Sequence, residues 1–162
     1  MAVFADTVEL RLRIKDPLGV IAILSVADED TRLDIETPAR QTAYKQLDTG
    51  EYWTYDADLA EWSALDLLLS DTRIDTLIDL YGVAAAAPKA IKQILPELGQ
   101  KMVIARTQDG AGSTDYVNLT TLYNFYKDLI ASMTEEVAQE AGESQGRMLR
   151  IRRPHIAGGM HF

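Results

Sequence analysis

The side chains best equipped for chemistry in this 162-residue sequence are few and poorly placed for it. Its two histidines, His155 and His161, both fall in a glycine-rich C-terminal stretch without a carboxylate or thiolate at metal-ligand spacing. Cysteine is absent, which removes thiolate metal sites, nucleophilic thiols and disulfides. Carboxylates do cluster, at Asp28-Glu29-Asp30, at Asp56 and Asp58, and at Asp71, Asp75 and Asp79. Such pairs can hold Mg²⁺ or serve as acid and base. The first two clusters lie in predicted turns, however, and the third on the solvent side of a predicted helix, opposite Ile74 and Ile78. Charge runs in those settings are ordinarily solvated. There is no glycine-rich phosphate loop or nucleophile elbow. The sequence predicts no catalytic residue, no metal ligand and no cofactor.

A second group with binding potential is aromatic: Tyr44, Tyr52, Trp53, Tyr55 and Trp62. Strand alternation puts Tyr52 on one face with Thr54, and Trp53 on the other with Tyr55. Such a set can form a platform for a sugar, although aromatics at this spacing more often fill a small β core or an interface.

The elements that would position these groups read as three blocks. Residues 8–14, Val-Glu-Leu-Arg-Leu-Arg-Ile, alternate apolar and charged residues and predict a strand with one wet face. After the Asp16-Pro17 turn signal, 19–27 predicts a more buried strand, and 32–37 a short third one. Asp48-Thr49-Gly50 joins two aromatic β-prone runs as a hairpin, and a further break at 56–58 leads to a run around Trp62, giving a three-stranded meander.

The hydrophobic period then changes. Ser70 is placed to cap a helix with apolar positions Ile74, Leu77, Ile78 and Tyr81, stopped by Gly82. A second helical pattern runs from Ala87 through Ile91 and Ile94 to Ala105, with a kink expected at Pro96. The third, capped by Asn118, carries Leu122, Tyr126, Leu129 and Met133 on one stripe. Residues 142–162 contain four glycines and a proline, and no helical pattern is read there. The sequence thus predicts an α+β chain: a small antiparallel β-rich module over 1–66, a three-helix bundle over 67–141, and an extended basic arm over 142–162.

Charge follows the same division. Residues 1–66 carry six basic and fourteen acidic side chains, 67–141 six and ten, and 142–162 four arginines against Glu143. The net charge of −9 on an acidic body argues against a general nucleic-acid binder, and the basic tail is suited to an acidic surface. The N-terminal residues lack a basic region followed by a long apolar run, and the longest apolar runs fall far short of a bilayer span, so a soluble, non-secreted chain is expected.

The stretch Leu69-Ser70-Asp71-Thr72-Arg73-Ile74, followed by an alanine-rich helix, a Gly/Ser loop and the Leu122-Tyr123-x-x-Tyr126 closing helix, resembles the head-to-tail connector (adaptor) proteins of tailed bacteriophages. The resemblance covers roughly 67–141 and is a pattern of helices rather than of catalytic residues. It implies a structural virion protein of the neck, made in the host cytoplasm. Such a subunit forms a dodecameric ring, docks to the portal, joins a downstream neck or tail protein, and lets genomic DNA pass without sequence-specific binding. It also implies an arm that docks on the portal or on a neighbouring subunit, to which Arg147, Leu149, Arg150, Ile151, Arg152, Arg153, Ile156 and Phe162 are assigned. The alternative in another class is a virion-surface module holding a glycan on the aromatic hairpin; a small carboxylate enzyme is a third.

Overall fold

The computed structural model describes residues 2–110 and 112–151. The chain is mixed α+β, with a four-stranded sheet towards the N-terminus followed by long helices. In order it forms α1 (Phe4–Ile14), β1 (Ala22–Val26), α2 (Glu29–Leu33), β2 (Thr42–Gln46), β3 (Tyr52–Asp56), β4 (Glu61–Ala64), α3 (Asp71–Asp109) and α4 (Thr114–Ile151).

The strand expected over 8–14 is a helix. Thr7, Leu10, Arg11 and Ile14 are all buried, a spacing of three and four. Leu10 and Ile14 enter a core shared with α3 and α4, while Val8 and Leu12 pack on the cluster of Val20, Ile23, Ala43 and Tyr52 beneath the sheet. A helix gripped on two sides shows apolar residues almost all round, and here that masks the 3.6-residue period. The expectation also took Arg11 as wet, whereas it is fully buried. The strand expected at 32–37 is likewise absent. Asp28 accepts from the Thr31 N–H at 2.8 Å and caps the short helix α2 instead.

The sheet runs in the order β1-β2-β3-β4. The meander β2–β3–β4 is antiparallel as its turns dictate, with Tyr44 opposite Trp53 and Tyr55 opposite Trp62. The expected wholly antiparallel module is corrected at β1, which pairs with β2 in parallel. Parallel neighbours need a crossover, and residues 27–41 with α2 supply it.

Helix α3 starts where the cap predicts, with Ser70 accepting from the Arg73 N–H. Gly82 breaks it at φ 72° and ψ 161°, a conformation open essentially only to glycine. The arm before Gly82 folds back on the arm after it, and the Arg73 guanidinium pairs with Glu97 across the two. Pro96 does not break the second arm: it is exposed, while Ile94 and Leu98 beside it are fully buried and hold that turn down. Asn118 is inside α4, which begins at Thr114. The helix also continues through 142–151, expected as extended. Gly142 and Gly146 each cost about 1 kcal/mol relative to alanine, but the Glu, Gln, Met, Leu and Arg around them favour helix.

The core joins α1, both arms of α3 and α4 through Leu10, Ile14, Ile74, Leu77, Ile78, Ile91, Ile94 and Tyr126. Leu122, Leu129 and Met133 pack against it while half-buried. Truncating Ile94 to alanine should cost about 2–5 kcal/mol and Leu129→Ala less, because a half-exposed site loses fewer contacts. Urea denaturation of both variants measures this; equal costs would mean that the packing of α4 is misjudged.

Candidate functional site

The charged groups that matter most are inside the molecule. Arg11 donates from Nη1 to Asp16 Oδ2 at 3.0 Å, from Nη2 to the Leu69 carbonyl at 2.9 Å, and from Nη2 and Nε to Asp71 Oδ1 at 2.7 and 3.2 Å. Its guanidinium carbon lies 5.1 Å from the centre of the Tyr52 ring. Asp71 also accepts from the Tyr52 hydroxyl at 2.9 Å and pairs through Oδ2 with Lys45 Nζ at 2.6 Å. Asp16 accepts from the Leu68 and Leu69 N–H groups at 3.0 and 3.1 Å. Tyr126 of α4 donates to the Lys15 carbonyl at 3.0 Å. One cluster therefore binds α1, the turn after it, β2, β3 and the start of α3.

Burial pushes the Asp71 carboxyl up, but the Lys45 and Arg11 hydrogen bonds, the guanidinium charge and the Tyr52 hydroxyl outweigh it and leave Asp71 below the ordinary carboxylate range. Tyr52 is pushed well above its usual value, first by burial and then by the facing Asp71 carboxylate. Lys45 and Arg11 both pair with Asp71, so the cluster ties α1, the sheet and the start of α3 together. The expectation that Asp71 and Asp75 are solvated is corrected: Asp71 sits in this cluster, and Asp75 accepts from Thr7 Oγ1 at 3.0 Å. Only Asp79 of the three is fully on the exposed side. Among the described residues no group of three His, Cys, Asp or Glu could hold a metal ion, and no helix is long and apolar enough to cross a membrane.

The aromatic set divides as strand alternation dictates. Tyr52 goes inward, while Trp53, Tyr55 and Trp62 share the other face with Tyr44. That face is already occupied: the buried Arg32 guanidinium stacks 4.0 Å from the Trp53 ring centre and 5.1 Å from that of Trp62. A sugar would have to displace Arg32 to reach the Trp53 face it covers.

Two of the exposed surfaces are of unlike character. On α3 an open groove of about 660 Å³ lies where its arms meet, lined by Thr76, Leu80, Tyr81, Lys92 and Pro96 beside the Arg73–Glu97 pair. Leu80 is 66% exposed, and Val103 and Ile104 extend the apolar surface further along the second arm. On the sheet side, the two hairpin turns each present a leucine among carboxylates: Leu47 beside Asp48, and Leu59, 69% exposed, beside Asp58.

Of the residues assigned to the docking arm, Arg147, Leu149, Arg150 and Ile151 fall on the last turns of α4, and Arg152, Arg153, Ile156 and Phe162 lie outside the described residues. The sequence reading missed Arg11, Asp16, Lys45 and the role of Asp71. No local signal separates Arg11 from Arg13, which lies between Leu12 and Ile14 in the same run and is exposed.

Asp71→Asn should lower stability by about 1.5–3 kcal/mol at neutral pH, since it replaces charge-assisted hydrogen bonds. The sign of the pH effect follows from the lowered folded value: folded Asp71 binds its proton less readily than unfolded, so acid favours unfolding. That contribution is whole above about pH 4 and is lost as pH falls through the lowered value. The melting-temperature gap between wild type and variant should therefore shrink as the pH is taken down from neutral to about 3. A gap that widens in acid would refute the assignment.

No family model, no curated protein and no solved structure matches the chain.

Proposed function

We propose that the chain is a structural subunit that assembles head to tail into a ring, as a head–tail connector of the tailed-phage type, docking to a portal and extending its DNA channel. The observation that carries the reading is the pair of unlike exposed surfaces, an apolar groove on α3 with Lys92 and the Arg73–Glu97 pair in its wall and acidic leucine-bearing turns on the sheet. A ring above two subunits is built from two different complementary patches on each copy, whereas a two-fold dimer uses one patch twice. The buried Arg11 cluster supports the same reading, because it fixes the sheet relative to the helices and so fixes the angle between the patches.

In this reading the two arms of α3 and helix α4 act as a three-helix bundle, α1 ties the sheet to it, and 142–162 is the arm that reaches the portal. The acidic body presents carboxylates to passing DNA and does not grip it. The glycan-binding alternative is weaker, because Arg32 already stacks on Trp53 and Trp62.

The free chain should be monomeric or weakly associated at low salt, where acidic subunits repel, and should form a ring when portal is added. Sedimentation of the free chain and electron microscopy of the mixture decide this. A tight two-fold dimer that ignores portal would sink the connector reading. Removing 154–162, which deletes Ile156 and Phe162 but no arginine, should abolish portal attachment even at low ionic strength. If that truncation still binds and only salt releases it, the arm is an electrostatic tether and not a docked segment.

A further inference from the structure

Exposed charge differs between the sheet module and the second arm of α3 more sharply than the sequence tallies suggest. Every Asp and Glu from Asp28 to Asp66, a fully described stretch, is exposed. Of the cations in the same stretch, Arg32 is buried under the aromatic face and Lys45 is engaged with Asp71, which leaves Arg40 as the exposed one. The sheet module therefore shows solvent an almost purely anionic surface. The second arm of α3 is the reverse. Lys89, Lys92, Lys101 and Arg106 are exposed along it, while Glu97 is half-buried and paired with Arg73. Lys89 Nζ also lies 5.4 Å from the centre of the ring of Tyr81, a residue that lines the groove.

Shape agrees with charge. The β3–β4 turn is closed by Asp56, whose Oδ1 accepts from the Asp58 and Leu59 N–H groups at 2.9 and 3.2 Å. The turn is thus pre-organised and lifts Leu59 into solvent with Asp58 before it and Glu61 after it. The α3 groove offers the counterpart, an apolar floor of Leu80, Tyr81 and Pro96 with Lys92 on its wall. A leucine flanked by carboxylates fits an apolar slot flanked by ammonium groups. The apolar contact supplies affinity, and the charges supply register and orientation.

We infer that the β3–β4 turn of one copy docks in the α3 groove of a second copy, Leu59 against Leu80 and Tyr81, with Asp58 and Glu61 facing Lys89 and Lys92. The two patches are different, so the contact is heterologous: each copy keeps an unused turn and an unused groove and can pass the contact on. The inference rests on the ring reading and adds to it the surfaces by which neighbours meet. It agrees with the weak self-association expected of the free chain, since a single turn buries little area and adjoining acidic modules repel.

Because the chain has no cysteine, introduced thiols report this contact without background. Full-length Leu59→Cys, Leu80→Cys and the double variant are oxidised at high protein concentration and run on non-reducing gels. Either single variant alone should stay monomeric, an equimolar mixture of the two should stop at dimer, and the double variant should give a ladder or closed rings. Lys92→Glu should slow the bond several-fold and adding Asp58→Lys should restore it, and raising salt from about 0.05 to 0.5 M should shrink both effects, as screening shortens the reach of the charges.

A Leu59→Cys chain that pairs with itself faster than with Leu80→Cys would overturn the inference, as that is a two-fold contact. So would folded double variant, verified by circular dichroism, whose thiols react with a maleimide yet form no ladder. Portal-bound rings without the ladder overturn this contact and leave the ring reading standing; a ladder without rings keeps the contact and removes the ring.

Discussion

A guanidinium with no access to water must have its donors satisfied by protein, and in this chain that requirement sets where everything else goes. Arg11 is 0% exposed. Removing such a cation from water costs several kcal/mol, which only close, well-aligned partners offset. Asp16 comes from the turn just after α1, while Asp71 and the Leu69 carbonyl come from a segment some sixty residues further on. Asp71 then has lone pairs to spare, and Tyr52 and Lys45 of the sheet take them. The cluster can be satisfied only when α1, the sheet and α3 are in one arrangement. The apolar core would tolerate small slips between these elements, but the hydrogen bonds would not.

What the sequence disclosed follows from the same physics. The helix from Ser70 to Gly82, the hairpin around Asp48-Thr49-Gly50 and the stripe through Tyr126 were legible, because each has a local signature: a cap, a turn or a single buried face. Helix α1 was not. Its apolar residues serve two layers, so its pattern alternates without belonging to a strand, and its buried arginine has the look of a solvent-facing one. Parallel pairing of β1 was equally hidden, since it depends on a crossover that no turn motif announces. The polar cluster could not be read at all, because its members are distant in sequence and nothing local distinguishes Asp71 from Asp75 or Asp79.

The distribution of surface charge depends on which charges the interior takes. Arg11 and Arg32 are withdrawn from the surface of the N-terminal half, one into the polar cluster and one against Trp53. An N-terminal region already acidic by sequence therefore becomes more so in what it shows to a neighbour. On α3, the break at Gly82 turns the opposite way: it folds two helical arms together and consumes Glu97 in a pair with Arg73, leaving lysines at the groove. The polarity of the folded molecule is thus a product of packing more than of composition.

Asp16 has a further role in the path of the chain. By accepting the Leu68 and Leu69 N–H groups it pins the strand of chain that leaves the sheet beside the one that goes into it. The sheet with α2 is, topologically, a closed excursion spliced between two helices that already touch. A segment with its ends tied together this way can lengthen, shorten or be exchanged at small entropic cost, since loop closure depends only weakly on length. The helices supply the socket, and the sheet is the piece through which such a scaffold could diversify as long as Lys45 and Tyr52 are kept to complete the Arg11 cluster.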